Sequence, residues 1–276
     1  MCITQSPRDC DNGLLMKTRE RTFLFNKADA LWRYTLINSA TRVFPSVIVT
    51  EFPKSGGTWL CQMLADSINM RYPRNELPSL GSNIYQGHYL KRYPGRTLVQ
   101  WRDPRDIMVS LYHFLYFKTE FASSGRIAAA RSHAKFSNFD DIEGNLPDFI
   151  SLSFLNPKIP RFNWNAFFDK WSVEDDVVHT SYERLRQNGV TELTRISSAL
   201  GSVCQTERIA IAMDRYSFER ASGRKAGEEN RNSFVRKGLV GDWVNVFSPT
   251  AIERINTLTE GRLERYEKFM ASIPNH

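Results

Sequence analysis

Pro53-Lys54-Ser55-Gly56-Gly57-Thr58-Trp59 follows directly on the apolar run Val47-Ile48-Val49 and leads into apolar residues at helical spacing. A β-rich run, a small Gly-rich turn and an amphipathic helix describe a strand–loop–helix unit able to wrap a phosphate. Glycine at 56 and 57 lets the backbone approach an anion closely. The unpaired N–H groups that open the helix point at that anion, and the helix dipole favours negative charge there. Lys54 adds a mobile cation and Trp59 a flat aromatic face, which together suggest a nucleotide. The order is not that of a Walker loop, Gly-x4-Gly-Lys-[Ser/Thr], because the lysine precedes the glycines. Taken alone, the stretch reads equally well as a tight turn with a solvated lysine.

Outward from this loop the chain alternates. Trp59, Leu60, Met63, Leu64 and Ile68 recur at helical spacing as far as Asn69. Residues 71–83 carry prolines and polar residues and read as loop. Arg96–Trp101 is a second strand candidate, ended by Arg102-Asp103-Pro104, with Asp103 as N-cap and Pro104 at the first helical position. That helix is predicted to reach Phe117. Asp176–Thr180 is a third strand, Thr191–Leu200 a helix stopped by Gly201, and Ser248-Pro249 opens another helix. Residues 28–39 also have a helical pattern. Strands separated by helices require crossover connections. The fold class expected is therefore α/β, a P-loop-like central parallel sheet with helices on both faces. Ligands bind such sheets at the C-terminal ends of strands, which brings 53–58, 102–103 and 181–183 to one rim. Residues 118–162 lack a strong period and read as an acceptor-binding loop or lid, or as an excursion with short helices of its own.

Composition sets wide bounds. The 276 residues are 41% hydrophobic and 24% charged, ordinary for a globular chain, and one domain spanning 1–276 is the simplest division, with 1–20 poorly ordered. The charge of +7 suits an anionic ligand but is also what keeps many proteins soluble. Cys2, Cys10, Cys61 and Cys204 form no Cys-x-x-Cys pair, so neither a metal site nor a disulfide framework is expected. No apolar run is long enough to span a bilayer, and the first residues show no secretory pattern. The expectation is a cytoplasmic protein without a transmembrane segment.

Two further segments carry chemistry. Arg102-Asp103-Pro104-Arg105-Asp106, with Ser110 two turns on, sets an arginine at a strand end where it can grip a phosphate. For Arg105 the plainer reading, an ion pair with a neighbouring carboxylate, is preferred. Arg236-Lys237-Gly238-Leu239-Val240-Gly241-Asp242-Trp243 is a flexible loop with adjacent cations, in which Asp242 reads as a cap or ion-pair partner.

In combination the segments resemble the cytosolic-type sulfotransferases. Residues 53–59 look like that family's 5′-phosphosulfate loop. Arg102–Asp106 with Ser110 resembles its 3′-phosphate segment, and Arg236-Lys237-Gly238 with Gly241-Asp242-Trp243 its C-terminal nucleotide loop. Ser181-Tyr182-Glu183-Arg184-Leu185 is similar to its Tyr-Glu-Asp element. The motifs occur in the family's order between residue 47 and about 250. The resemblance implies the donor 3′-phosphoadenosine-5′-phosphosulfate (PAPS), product 3′-phosphoadenosine-5′-phosphate (PAP), and no metal. It implies that Lys54, Ser55, Gly56, Gly57 and Thr58 hold the phosphosulfate, with Lys54 also catalytic, and that Trp59 stacks on adenine. Arg102, Ser110, Arg236, Lys237 and Gly238 would take the 3′-phosphate end. Tyr182 would lie near the adenine, and Ser217-Phe218 would resemble the adenine element, with Phe218 as the second stacking face. It implies a histidine base between the first two motifs, and only His88 lies there, in Gln86-Gly87-His88 where the family usually has Lys-Thr-His.

The expected reaction is sulfuryl transfer to a hydroxyl or amine of a small-molecule or glycolipid-type acceptor. Acceptor loops are expected at 84–93 and 114–167, the latter rich in aromatics: Phe117, Phe121, Phe136, Phe139, Phe149, Phe154 and Trp164. Such residues are more often core, and no acceptor follows from them. A kinase using ATP and magnesium, and a non-catalytic nucleotide-binding protein, are the rival readings. No nucleic-acid-binding signature is present. Oligomeric state stays open between monomer and homodimer: of the family's dimer motif Lys-x3-Thr-Val-x3-Glu, only Glu253 is matched.

Overall fold

The computed structural model describes residues 23–74, 76–119 and 123–274. The expectation for residues 1–20, Cys2 and Cys10, the aromatic Phe121 and His276 lie outside the described residues. Helix α1, Phe23–Ser39, leads to strand β1, Val47–Glu51, and through the Gly loop to α2, Gly57–Ile68. The edge strand β2, Ile84–Gly87, and the central β3, Arg96–Trp101, follow. Then come α3, Pro104–Tyr116; α4, Ser124–Ala134; α5, Ile142–Leu155; and α6, Trp164–Trp171. Strand β4, Val178–Ser181, runs into α7, Tyr182–Ala199, with α8, Thr206–Arg215, and the short α9, Phe218–Ser222, beyond it. Helices α10, Pro249–Thr259, and α11, Arg262–Ser272, close the described chain.

The sheet is wholly parallel, in the order β2-β1-β3-β4. Every residue of β1 is buried, as expected of a central strand covered on both faces. Its side chains alternate between the two layers. Val47 and Val49 join Leu98, Leu60 and Leu64 with Leu185, Leu193 and Ile196 under α2, α7 and α8. Ile48 points the other way, to Tyr85 with Leu36 and Ile37 of α1. Val99 and Trp101 enter the largest core, built with α3, α5, α6, α10 and α11.

Several boundaries follow from capping chemistry. Asp103 accepts the Arg105 N–H at 2.8 Å to open α3, with Pro104 at its first position. Ser248 caps α10 in the same way, ahead of Pro249. Gly201, at φ 66°, lies just beyond the end of α7.

The structure corrects the sequence reading in two places. Residues 84–87 are a strand, not loop. Helix α7 begins at Tyr182 rather than near Thr191; its two parts meet at a non-helical Asn188. Gly189 beside it is packed against Met213, whose Cε would stand 2.2 Å from any added Cβ. Of the two readings left open for 118–162, the described residues follow the excursion with helices of its own, α4 and α5. Helix α5 buries Leu146, Phe149, Ile150 and Phe154 in the main core. Phe117 and Trp164 are buried and Phe136 and Phe139 pack against the same cluster, so the described aromatics of this region are core. In α1, Leu36 and Ile37 are buried whereas Leu31 and Tyr34 are exposed.

Candidate active site

The parallel register decides what meets at the rim. Thr50 pairs with Gly87 and Trp101 with Ser181. His88 therefore leaves the sheet beside Glu51, and Arg102 leaves it beside Tyr182. The Gly loop lies between these two pairs. Lys54 and Gly56 both take left-handed backbone, φ 72° and 91°. For a lysine this is a strained conformation of a kind that collects at functional loops. A Cβ at Gly56 would stand 2.8 Å from the Tyr182 ring. At Gly57 a Cβ would stand 2.4 Å from the Glu51 carboxyl carbon, because Glu51 Oε2 accepts the Gly57 N–H at 2.6 Å. Thus an internal carboxylate sits on the backbone donor that opens α2. Ser55 is buried beneath the loop: its carbonyl accepts from Gln100 at 3.0 Å, and its Oγ has no partner.

Arg102 joins the loops. Its guanidinium donates to the Lys54 carbonyl at 3.1 Å and the Leu239 carbonyl at 3.4 Å, and it lies 4.4 Å from the centre of the Tyr182 ring. Its Nε is buried without a partner. Asp106 accepts the N–H groups of Gly241 and Trp243 at 2.8 and 3.0 Å, docking the 236–243 loop on α3. Within that loop Arg236 and Lys237 both reach Asp242, at 2.7 and 2.6 Å, and Arg236 also reaches Glu229 at 2.6 Å. Asp242 is thus an ion-pair partner, and Arg105 is likewise paired, with Asp103 at 2.6 Å and Glu267 at 3.1 Å. Gly238, at φ 69°, lies flat on Phe218, which a Cβ would meet at 2.2 Å. Trp59 donates to the Tyr216 carbonyl at 2.8 Å and meets Tyr182 edge-on at 5.5 Å.

His88 is held by its Nδ1, 2.9 Å from the Glu51 carbonyl. A carbonyl only accepts, so Nδ1 carries a proton, and in the neutral ring the lone pair is on Nε2. Tyr89, the next residue, is tied at both backbone N–H and carbonyl to Thr50 Oγ1, each at 3.1 Å, and its carbonyl accepts from Trp171 at 2.8 Å. Gln86 donates to Glu51 Oε1 and accepts from the Tyr72 hydroxyl. The other described histidines do structural work or stand apart. His179 accepts from the Trp101 indole at 3.1 Å; His113 is buried, its pKa lowered to about 4, chiefly by burial and then by Arg236; His133 is exposed on α4.

These segments enclose one cavity of about 690 Å³. Of the residues singled out in the sequence, Lys54, Gly56, Gly57, Thr58, Trp59, His88, Arg102, Ser110, Tyr182, Phe218, Arg236, Lys237 and Gly238 line it. Ser55 and Ser217 are not among the lining residues. Ser217 instead caps α9, accepting the Arg220 N–H at 3.3 Å. Sequence reasoning missed Glu51, Tyr72, Arg74, Gln86, Arg126 and Phe234. Glu51 alone left a signal, a carboxylate breaking a buried apolar run.

The electrostatics call for an anion. Burial, and then Arg102, Arg74 and Arg236, lower the Lys54 amine from 10.5 to about 7, against an opposing pull from Glu51. A buried lysine among arginines with its pKa lowered, an orphaned Arg102 Nε, two glycines closed to any side chain and facing aromatics fit a polyanionic nucleotide.

Comparison with known proteins agrees. The Sulfotransferase domain family matches residues 89–269, more than half of the chain. Mouse Sulfotransferase 1B1 is 23% identical over 246 residues, covering 79% of this chain and 82% of that protein. Mouse Sulfotransferase 6B1 is 24% identical over 256 residues, covering 82% and 76%. Among solved structures, a mouse sulfotransferase complexed with PAP superposes with a TM-score of 0.60 at 19% identity, covering 85% of this chain and 92% of that one. Retinol dehydratase in complex with androsterone and PAP superposes at 0.55 and 17% identity, covering 83% of each chain. On the domain match, with the same α/β fold in the solved relatives, the chain belongs to the sulfotransferase domain family.

Proposed function

We propose that this cavity takes PAPS on its Lys54 side and a hydroxylated or aminated small molecule on its His88 side, and that His88 is the general base. Bound there, PAPS supplies the sulfuryl group: its sulfur–oxygen bond to the 5′-phosphate breaks as the bond to the acceptor forms, and PAP remains. Lys54, the backbone of 56–58 and the Thr58 hydroxyl hold the phosphosulfate end. Trp59 and Phe218 face the adenine, with Tyr182 beside it. Arg102, Ser110, Arg236, Lys237 and Gly238 receive the 3′-phosphate. Ser55 contributes by supporting the loop from beneath, and Ser217 by capping the helix that carries Phe218.

The chain's own chemistry then divides between two groups. His88 Nε2 accepts the acceptor proton, since Nδ1 is occupied by the Glu51 carbonyl. Lys54 regains its charge beside the donor's anionic groups and stabilises the negative charge that collects on the departing phosphate oxygen. The strand rim fixes both groups, so orientation supplies a further part of the acceleration. The observation that carries this reading is the tethered His88 ring on the same rim as the Lys54 loop.

The test is turnover of PAPS with a panel of hydroxylated acceptors, alongside PAP affinity by calorimetry. His88→Ala is expected to lower kcat by about a hundred- to ten-thousand-fold with PAP affinity held within a few-fold. Retained turnover removes His88 from the base role. Phosphate transfer from ATP–Mg, with no binding of PAP, overturns the donor assignment.

A further inference from the structure

The cavity wall beside Lys54 carries two arginines to which the reading above gives no role. Lys54 Nζ lies 4.8 Å from the centre of the Phe114 ring and 3.9 Å from that of Phe234. On the same two rings stand two more cations: Arg126 at 4.4 Å from Phe114 and Arg74 at 5.5 Å from Phe234. One aromatic ring thus separates the catalytic lysine from each arginine. Arg126 comes from the first turn of α4 and Arg74 from the loop after α2, and both line the cavity. Neither segment belongs to the phosphosulfate loop, the 3′-phosphate segment or the 236–243 loop.

Arg126 differs from the protein's other perturbed arginines. Arg92, Arg105, Arg215 and Arg262 are each held up by a carboxylate that pairs with them. Arg126 is pushed down, and burial is the sole cause. No carboxylate lies within ion-pair distance of it among the described residues. The residue as a whole is exposed to solvent. Its inner side rests on Phe114. Arg74 adds its field, strong enough to count among the influences that lower Lys54. Two carboxylates line the cavity among the described residues: Glu51 is engaged by Gly57 and Gln86, and Asp66 by Arg215.

We infer that the acceptor is itself an anion: a hydroxylated small molecule bearing a carboxylate, phosphate or phosphonate, which Arg126 and Arg74 hold at the mouth while its hydroxyl reaches His88. This rests on the reading of the cavity as a sulfuryl-transfer site. Phe114 and Phe234 provide flat walls for the carbon skeleton between the two groups. A guanidinium such as that of Arg126, with no carboxylate at ion-pair distance among the described residues and an aromatic face beside it, suits an oxyanion through charge-assisted paired hydrogen bonds. The same positive field repels a cationic acceptor and gives a neutral one nothing in return for displaced water.

The experiment uses acceptors matched in shape and different in charge: 4-hydroxyphenylacetate, 4-hydroxyphenylacetamide, tyramine and 4-hydroxybenzylphosphonate, with glucuronate, glucose and glucosamine as a non-phenolic set. Binding of each to the PAP-saturated protein is measured by calorimetry, which needs no turnover, and kcat/KM is measured with PAPS. In at least one set the anion is expected to exceed its neutral partner by about ten-fold or more in both readouts. The carboxylate and phosphonate arms tell which anion is preferred. Arg126→Ala is expected to erase that margin, and Arg126→Lys to restore part of it. Equal affinity for anion and amide throughout, or preference for the neutral or cationic member, overturns the inference. So does an Arg126→Ala variant that loses PAP affinity, since Arg126 would then belong to the donor side. Failure of the wild-type protein to bind PAP would instead overturn the donor assignment, and is read separately.

Discussion

On the reading proposed above, the donor and acceptor sides of the cavity are built differently. The donor side comes from strand ends and short loops, and the protein itself already restrains most of its cations. Arg102 grips two backbone carbonyls, Arg236 and Lys237 share Asp242, and Asp106 docks the loop that carries them. The acceptor side comes from a loop after α2, an edge strand, the first turn of α4 and Phe234, and its charge is borne by arginines resting on rings. A prearranged side suits a ligand that never changes, because little ordering remains to be done on binding. A wall gathered from dispersed segments suits a ligand whose identity is set by replacing single side chains.

Substitutions can break this comparison. Among donor-side substitutions Lys54→Ala should have the largest effect, lowering kcat by about a hundred- to a thousand-fold while PAP binding changes far less; a kcat near wild type would demote the donor side to simple binding. Arg102→Ala should come next, weakening PAP binding by about ten- to a hundred-fold, with the KM of the acceptor little altered. If the acceptor KM rose as much as that of PAPS, the two sides would not be independent. A smaller effect tests the charge of Lys54. Its amine is near 7 in the free protein and should regain a proton beside an anion. PAP binding should then take up nearly one proton at pH 8, about half at pH 7 and almost none at pH 6, read by calorimetry in buffers of different ionisation enthalpy. Lys54→Met should abolish the uptake. The same shift carries a sign for folding. With its pKa depressed, the free folded protein binds fewer protons than the unfolded chain between about pH 7 and 10.5, so the Lys54 contribution to stability rises with pH across that window.

The same contrast explains what was legible in the sequence. The donor side is written in contiguous segments, each following a strand or opening a helix, and such segments are read directly: 53–59, 102–110 and 236–243. Strand β2 was not legible. Ile84-Tyr85-Gln86-Gly87 holds only a short apolar stretch, and Tyr85 is buried by Leu36 and Ile37 from a distant helix. Helix α5 was obscured by Gly144 and Pro147. Gly144 serves the cap, its N–H bound to Asp141 at 3.0 Å, and Pro147 stays in the helix because Leu146, Phe149 and Ile150 bury its inner face. On the acceptor side Tyr72, Gln86, Arg126 and Phe234 lie in separate parts of the chain, and no local pattern links them. His88 stood out only because no other histidine lies between the two motifs; the β1–β2 register that puts it beside Glu51 is tertiary.

Glu51 gives the resting enzyme a built-in competitor. Its carboxylate already accepts from the Gly57 N–H, on the loop proposed to take the phosphosulfate. The loop folds around this side chain. On the proposed reading, a phosphosulfate that takes the Gly57 N–H exchanges one anion for another, and the affinity is what remains after Glu51 has been displaced. Glu51→Gln, which keeps an acceptor for Gly57 but removes the charge, should tighten PAP binding by roughly three- to ten-fold; weaker binding would mean that the carboxylate assists the ligand rather than competing with it. On that reading the protein's own acid sets the threshold that a nucleotide must exceed.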